Sequence, residues 1–375
     1  MPGIYLHIPF CKKACHYCNF HFSTSLKLKN DFLAALLKEI KLRKEYIGDE
    51  TIETIYFGGG TPSILSAEEL KTVLEAIYEQ YTVATGAEIT LEANPDDISA
   101  DLLQQWKTAG INRLSIGVQS FFDEHLAWMN RAHTAGQAIR SIEMAQQKGF
   151  NNITIDLIYG IPGLSDEQWK QNVEQALALN IPHLSCYALT VEPATALQKM
   201  IAQKKAADVA PEAQAQQFLQ LMDWLGKAGY EHYEISNFAK PGFHSRHNSS
   251  YWNGKHYLGL GPSAHSFNGK SRQWNVANNA LYIKALGQDR LEMETETLST
   301  AQQLNEYIMI SLRTTEGIDM KLVDARFGEK ESARLRGLAD KYIKSGKIVA
   351  TAGTLRLTTE GKLFADGIAA DLFVA

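Results

Sequence analysis

An alternation constrains this chain more than any other feature. From Gly3 to about Ser236, short apolar runs take turns with longer stretches whose apolar residues recur every three or four positions. "GIYLHI" is a run of the first kind. Phe32, Leu36 and Ile40, with Leu33 and Leu37, make a stripe of the second, the spacing of one helix face. "IETIYF", "EITLEA", "RLSIGV", "NITIDLI" and "HLSCYAL" repeat the short pattern. The helical stretches between them start near Ser66, Ser99, Thr134 and Ser165, and "SAEE" and "SDEQ" are capping boxes. A long helix, Pro211 to Ala228, leads into "HYEIS". Six or seven βα units in order imply a parallel sheet with right-handed crossovers.

The fold class expected is therefore α/β, a partial or complete TIM-type (β/α) barrel of about six βα units. A barrel fits better than a doubly wound sheet because the chemically informative residues fall at the C-terminal ends of strands. They are a cysteine loop after the first strand, Gly58–Thr61 after the second, Glu92 in the third, Gln119 after the fourth and Asp156 in the fifth. Three regions are predicted: the barrel over 1–240, a His- and aromatic-rich connecting segment over 241–298, and a small C-terminal domain over 299–375. The last reads as helices followed by a hairpin, "IVATAGTLRLT", a winged-helix-like α+β pattern. Its 11 Lys and Arg against 10 Asp and Glu leave no basic footprint for DNA, so a lid or a protein contact is expected.

The net charge of −5 likewise argues against nucleic acid. No apolar run approaches the roughly 20 residues of a membrane helix. "MPGIYLHIPF" lacks the basic start of a signal peptide, so a cytoplasmic protein with reduced thiols is expected.

Three of the four cysteines then stand out. Cys11, Cys15 and Cys18 are spaced Cx3Cx2C, while Cys186 lies far off in an apolar strand and reads as a buried structural thiol. A metal site explains the triplet. Zinc would need a fourth ligand, which His7, His16 or His21 would supply. A [4Fe–4S] cluster takes three thiolates and keeps one iron open for chemistry. "FGGGTP", Phe57 to Pro62, follows a strand and opens a helix; alone it is a tight βα turn.

Together, Cx3Cx2C after strand one and GGGTP after strand two resemble the radical S-adenosylmethionine superfamily. The order "YLHIPFC", "YFGGGTPS", "LEANPD", "RLSIGVQSF", "NRAH", "IDLIYGIPG" is similar to the oxygen-independent coproporphyrinogen III oxidase family over nearly the whole chain. The oxidases carry a cysteine two places after the third ligand, where this chain has Phe20. "HNSSYW", His247 to Trp252, resembles instead the haem-chaperone (HemW) branch.

The resemblance implies three cofactors: the cluster on Cys11, Cys15 and Cys18, S-adenosylmethionine, and haem. The superfamily uses one electron from the cluster to break the sulfonium bond and form a 5′-deoxyadenosyl radical. Tyr5 and Tyr17 are expected beside the sulfonium and adenosine, Gly59, Gly60 and Thr61 at the methionine ammonium, and Glu92 on the ribose hydroxyls. Gln119, Arg131 and Asp156 match polar positions around a second S-adenosylmethionine; an ion pair on the barrel rim is their plain alternative. His247 is the candidate haem ligand, with Asn248 orienting it and Tyr251 and Trp252 as flat faces; the plain alternative is a histidine in an aromatic-anchored loop. His244, His256 and His265 are further candidate ligands. The implied partners are haem-acceptor proteins, an electron donor and peripherally met membrane haem proteins, for a monomer or homodimer. The rival function is oxidative decarboxylation of coproporphyrinogen III by the radical.

Overall fold

The computed structural model describes residues 2–374. The alternation folds into six parallel strands paired in sequence order: β1 (Gly3–Ile8), β2 (Ile52–Gly59), β3 (Val83–Ala93), β4 (Arg113–Gln119), β5 (Ile153–Tyr159) and β6 (His183–Ala188). The helices between them start where the sequence marks them. Ser66, Thr134 and Ser165 each accept from the backbone N–H three residues on, while the Glu69, Gln137 or Gln168 side chain closes the capping box. Each box satisfies two amide groups that a helix start otherwise leaves open.

Alternation along each strand separates two environments. In β1, Ile4, Leu6 and Ile8 are fully buried in the main hydrophobic core. Gly3, Tyr5 and His7 point the other way, into the barrel. The register sets layers inside: Gly3 pairs with Thr54, Tyr5 with Tyr56 and His7 with Gly58. Trp106 and Trp169, fully buried, fill the helix layer; truncating either to Ala costs about 3–5 kcal/mol.

The barrel stays partial. On the far edge of β6 the next strand is antiparallel β8 (Asn237–Ala239), followed by β7 (Glu231–Glu234). "HYEIS" is thus one arm of a hairpin and not a seventh βα unit. On the other edge, β1 pairs with β9 (Tyr257–Leu260), which runs parallel to it. Strands β10 (His265–Phe267), β11 (Ser271–Asn275) and β12 (Met293–Thr297) continue the same sheet to twelve strands.

This corrects the reading of 241–298 as a connection. The segment holds two helices, Arg246–Trp252 and Asn279–Gly287, and four strands of the main sheet. Its short strands, three to five residues long and with many polar residues, lack the apolar runs that the βα units display. At the end of the chain, a separate core from Leu304 to Leu372 gathers around Ile308, Val323, Leu335 and Ile348. Two consecutive helices, Met320–Phe327 and Glu329–Lys344, precede the hairpin of β14 (Ile348–Thr351) and β15 (Thr354–Leu357), with β13 (Ile318–Asp319) beside it. That is the winged-helix arrangement read from the sequence.

Candidate functional site

A cavity of about 470 Å³ opens at the C-terminal ends of the parallel strands. Cys11, Cys15, Cys18, Tyr17, Gly59, Gly60, Thr61, Glu92, Gln119, Arg131 and Asp156 all line it, brought together from the ends of β2 to β5, the first loop and the segment after the helix Asp123–Trp128. Of the residues expected at the cofactor, only Tyr5 lies outside the lining, one layer deeper in the barrel.

The cysteine loop has little secondary structure, so its position depends on anchors from elsewhere. His16 N–H donates to the Met129 carbonyl, and its Nδ1 meets the Trp128 carbonyl at 2.8 Å. Asn130 Nδ2 donates to the Ala14 carbonyl at 2.7 Å, and Leu197 N–H to the His16 carbonyl at 2.8 Å. Arg131 ties the loop to the strands. Its guanidinium is 3.3 Å from Cys15 Sγ and donates to Asn94 Oδ1 and to the Gly117 carbonyl, each at 2.7 Å. Arg131 forms no ion pair with Asp156 among the described residues, so the plain rim-pair reading of those two does not describe this site.

The donor set fits a [4Fe–4S] cluster better than zinc. The sequence offers His7, His16 or His21 as a fourth zinc ligand, but none of them lines the cavity. His7 Nε2 bonds the His21 carbonyl, and His21 Nε2 bonds Asn279 Oδ1 at 2.7 Å. No three His, Cys, Asp or Glu among the described residues close around a single ion. Three thiols and a fixed guanidinium remain. Burial pushes the Cys11 thiol up to about 11 and raises Cys18 as well; bonding to iron supplies what burial withholds from the thiolates. When bound, the cluster offers one iron without a protein ligand and an electron for the sulfonium.

Two carboxylates share the cavity wall. Burial pushes Glu92 up to about 8, while the Tyr56 hydroxyl, donating to Oε1 at 2.8 Å, pulls it back. Burial likewise raises Asp156 to about 6. The glycines between these groups are steric necessities. Gly59 has φ +106°, and a Cβ there would sit 2.6 Å from the His7 ring. Gln119, at φ +68°, holds a left-handed conformation rare outside glycine, at the cavity edge.

HNSSYW lies at the opposite end of the barrel. His247 contacts Thr54, early in β2, whereas the cysteine loop faces Gly59 and Gly60 at its end. Five residues of strand separate the two levels, roughly 17 Å. The His247 ring is 1% exposed. Its Nδ1 is 2.8 Å from Thr54 Oγ1 and its Nε2 2.8 Å from the Tyr251 hydroxyl. Burial lowers it to about 3, so the ring is neutral, with one donor and one acceptor, both engaged. As folded, the candidate haem ligand His247 has no free nitrogen. Asn248 does not orient the ring; Ser245 receives its backbone N–H as helix cap. Trp252 lies under the Arg313 guanidinium, 5.8 Å from its centroid. His244 pairs with Glu231 and His256 with Glu50, each at 2.7 Å. His265 is exposed and stacks on Trp274, with ring centroids 5.9 Å apart.

Comparison with known proteins places this geometry. The Radical SAM superfamily pattern matches residues 5–176, and that of the HemN C-terminal domain residues 298–364. The heme chaperone HemW of Bacillus subtilis is 36% identical over 376 residues, 98% of each chain. Its Escherichia coli counterpart is 34% identical over 383 residues, 100% of this chain and 98% of the other. This chain belongs to the HemW family. A solved structure, the radical SAM coproporphyrinogen III oxidase HemN of Escherichia coli, matches with a TM-score of 0.85 at 24% identity, covering 100% of this chain and 90% of that one. That likeness concerns the fold.

Family membership fits the residue where the oxidases have a cysteine. Phe20 is 67% exposed on the cavity lip, a large apolar ring in water. Sequence reasoning missed several lining residues of this HemW site: Asn94, Ser115, Ile158, Tyr187 and Leu189. Asn94 was within reach, inside the quoted "LEANPD". It bridges Arg131 and Thr61, donating to Thr61 Oγ1 at 3.2 Å.

Proposed function

We propose that this protein binds haem and passes it to acceptor proteins, using a cluster- and S-adenosylmethionine-bearing barrel as its base. The observation that carries the reading is the near-full-length match to heme chaperones at 34–36% identity. Cys11, Cys15 and Cys18 hold the cluster. Glu92 receives the ribose, Gly59, Gly60 and Thr61 meet the methionine end, Tyr17 packs on adenosine, and Arg131 steadies the sulfur of Cys15. Gln119 and Asp156 complete the polar wall. Work in the cytoplasm, an electron donor and peripheral contact with membrane haem proteins belong to the same reading.

Among the candidate haem ligands, His265 is favoured. Its ring is exposed and, among the described residues, forms no hydrogen bond. An imidazole in that state is ready to meet an iron. Ligation by His247 would first require Thr54 or Tyr251 to let go.

The test is an anaerobic haem titration of the cluster-loaded protein, followed by transfer to an apo haem protein. A saturable Soret change at one equivalent is expected, altered in His265→Ala. No saturation at one equivalent removes the carrier reading. Product analysis with coproporphyrinogen III addresses the rival; accumulation of a decarboxylated product would replace the carrier with an enzyme.

A further inference from the structure

HNSSYW sits far from the cysteines, yet an unbroken column of contacts joins it to the cavity. The His247 ring lies on the Tyr56 ring, with centroids 4.9 Å apart and planes 24° apart. Tyr56 is 8% exposed, and Tyr5 stacks beside it at 6.1 Å and 26°. The Tyr56 hydroxyl donates to Glu92 Oε1 at 2.8 Å.

Neither end of the column is free to slide. His247 is held at both nitrogens, and its backbone N–H donates to Glu88 Oε1 at 3.0 Å. At the upper end, Gly58 leaves no slack. A Cβ there would stand 2.9 Å from atoms of both the Tyr5 and Tyr56 rings and 3.1 Å from Glu92 Oε1. Close-packed interiors transmit such displacements because no void absorbs them.

We propose that His247 and Tyr56 are positioning residues for Glu92, so that the HNSSYW helix sets how tightly the cavity binds S-adenosylmethionine. His247 fixes the Tyr56 ring by stacking. Tyr56 fixes one carboxylate oxygen, and the Gly59 backbone amide also steadies the carboxylate at the cavity wall. A segment 155 residues along the chain from Glu92, at the opposite end of the barrel, is thereby part of the S-adenosylmethionine site. The inference rests on the reading that Glu92 meets the ribose. By linkage, any change that a haem imposes on this helix alters S-adenosylmethionine affinity, and the reverse holds equally.

Calorimetric titration of S-adenosylmethionine into cluster-loaded wild type, Tyr56→Phe, His247→Ala and the double variant tests it. Tyr56→Phe removes one hydroxyl bonded to a carboxylate, and a loss of roughly 10-fold in affinity is expected. His247→Ala should lose a similar factor. The double variant should be no weaker than the worse single one, because both act through one contact. The pH profile supplies a reading that a structural defect would not move. Without the Tyr56 hydrogen bond the charged carboxylate is less favoured, so both single variants should shift the half-binding pH upward. Asp156 from β5, Tyr5 from β1, Tyr187 from β6, Tyr251 from the HNSSYW helix and Cys18 from the loop also face Glu92 and are unchanged in these variants. If His247→Ala folds poorly, Tyr251→Phe, which frees Nε2 and removes one hydroxyl that faces Glu92, replaces it in the affinity comparison and should show the same coupling. Additive losses, or unchanged affinity in Tyr56→Phe, overturn the proposal. If Glu92→Ala itself binds normally, the ribose reading fails instead, and the two failures are distinguishable.

Discussion

Replacing Glu92 with Gln should flatten the pH dependence of S-adenosylmethionine binding. In the empty cavity Glu92 is pushed up to about 8, chiefly by burial. Ribose hydroxyls are donors, and they favour the charged carboxylate over the acid. Binding therefore draws Glu92 toward ionisation and releases a proton wherever the free protein holds one. With a pKa of about 8, roughly 3% of the free protein is ionised at pH 6.5 and about 75% at pH 8.5. Affinity should thus rise by about 25-fold over that interval. The ligand's own amino group titrates near 7.7–8.0, so the difference between wild type and Glu92→Gln is the quantity to read. Calorimetry in two buffers of different ionisation enthalpy reports the released proton directly at pH 7. Equal slopes for wild type and Glu92→Gln would mean that the carboxylate does not meet the ligand. The same shift has a stability consequence of opposite sense. A carboxyl raised in the fold contributes stability below its ordinary value, and that contribution is lost as pH rises through about 8. The ligand-free protein should therefore lose stability from about pH 4.5 to 8, and S-adenosylmethionine should restore it.

Other outcomes follow from the same geometry. Cys11→Ser, Cys15→Ser or Cys18→Ser should each lose the cluster, while Cys186→Ser, at a buried and distant thiol, should keep it; iron and sulfide assays decide. Arg131→Lys keeps the charge but cannot reach Cys15, Asn94 and Gly117 together, so cluster lifetime in air should fall while fold is retained. Gly59→Val combines a positive φ with a clash on His7 and should destabilise the protein by several kcal/mol in thermal unfolding. A folded cysteine-loop variant should still bind one haem, because the candidate haem ligands lie outside the cluster cavity.

What the sequence made legible follows the physics of its signals. The βα alternation was readable because β1 to β6, largely buried on both faces, read as continuous apolar runs, and because Ser66 and Ser165 cap helices by local bonds alone. Most cavity residues were readable because they lie at or near a strand's C-terminal end, where topology forces neighbours together whatever the side chains; Arg131, after the helix Asp123–Trp128, was readable only through its motif. The reading failed where position depends on long-range packing. Strands β9 to β12 form only because β1 offers an open edge, and nothing within "YLGL" or "HSF" reports that edge. The burial of His247 was not legible for the same reason. A histidine followed by aromatics presents the same letters whether it faces solvent or plugs the floor of a barrel. What decides is the partner 193 residues earlier, Thr54, whose hydroxyl is 2.8 Å from the ring. A motif in one local segment can therefore carry its function through contacts that segment does not contain. In this barrel those contacts run upward through Tyr56 to Glu92, which makes the motif's effect on S-adenosylmethionine the decisive measurement of its role.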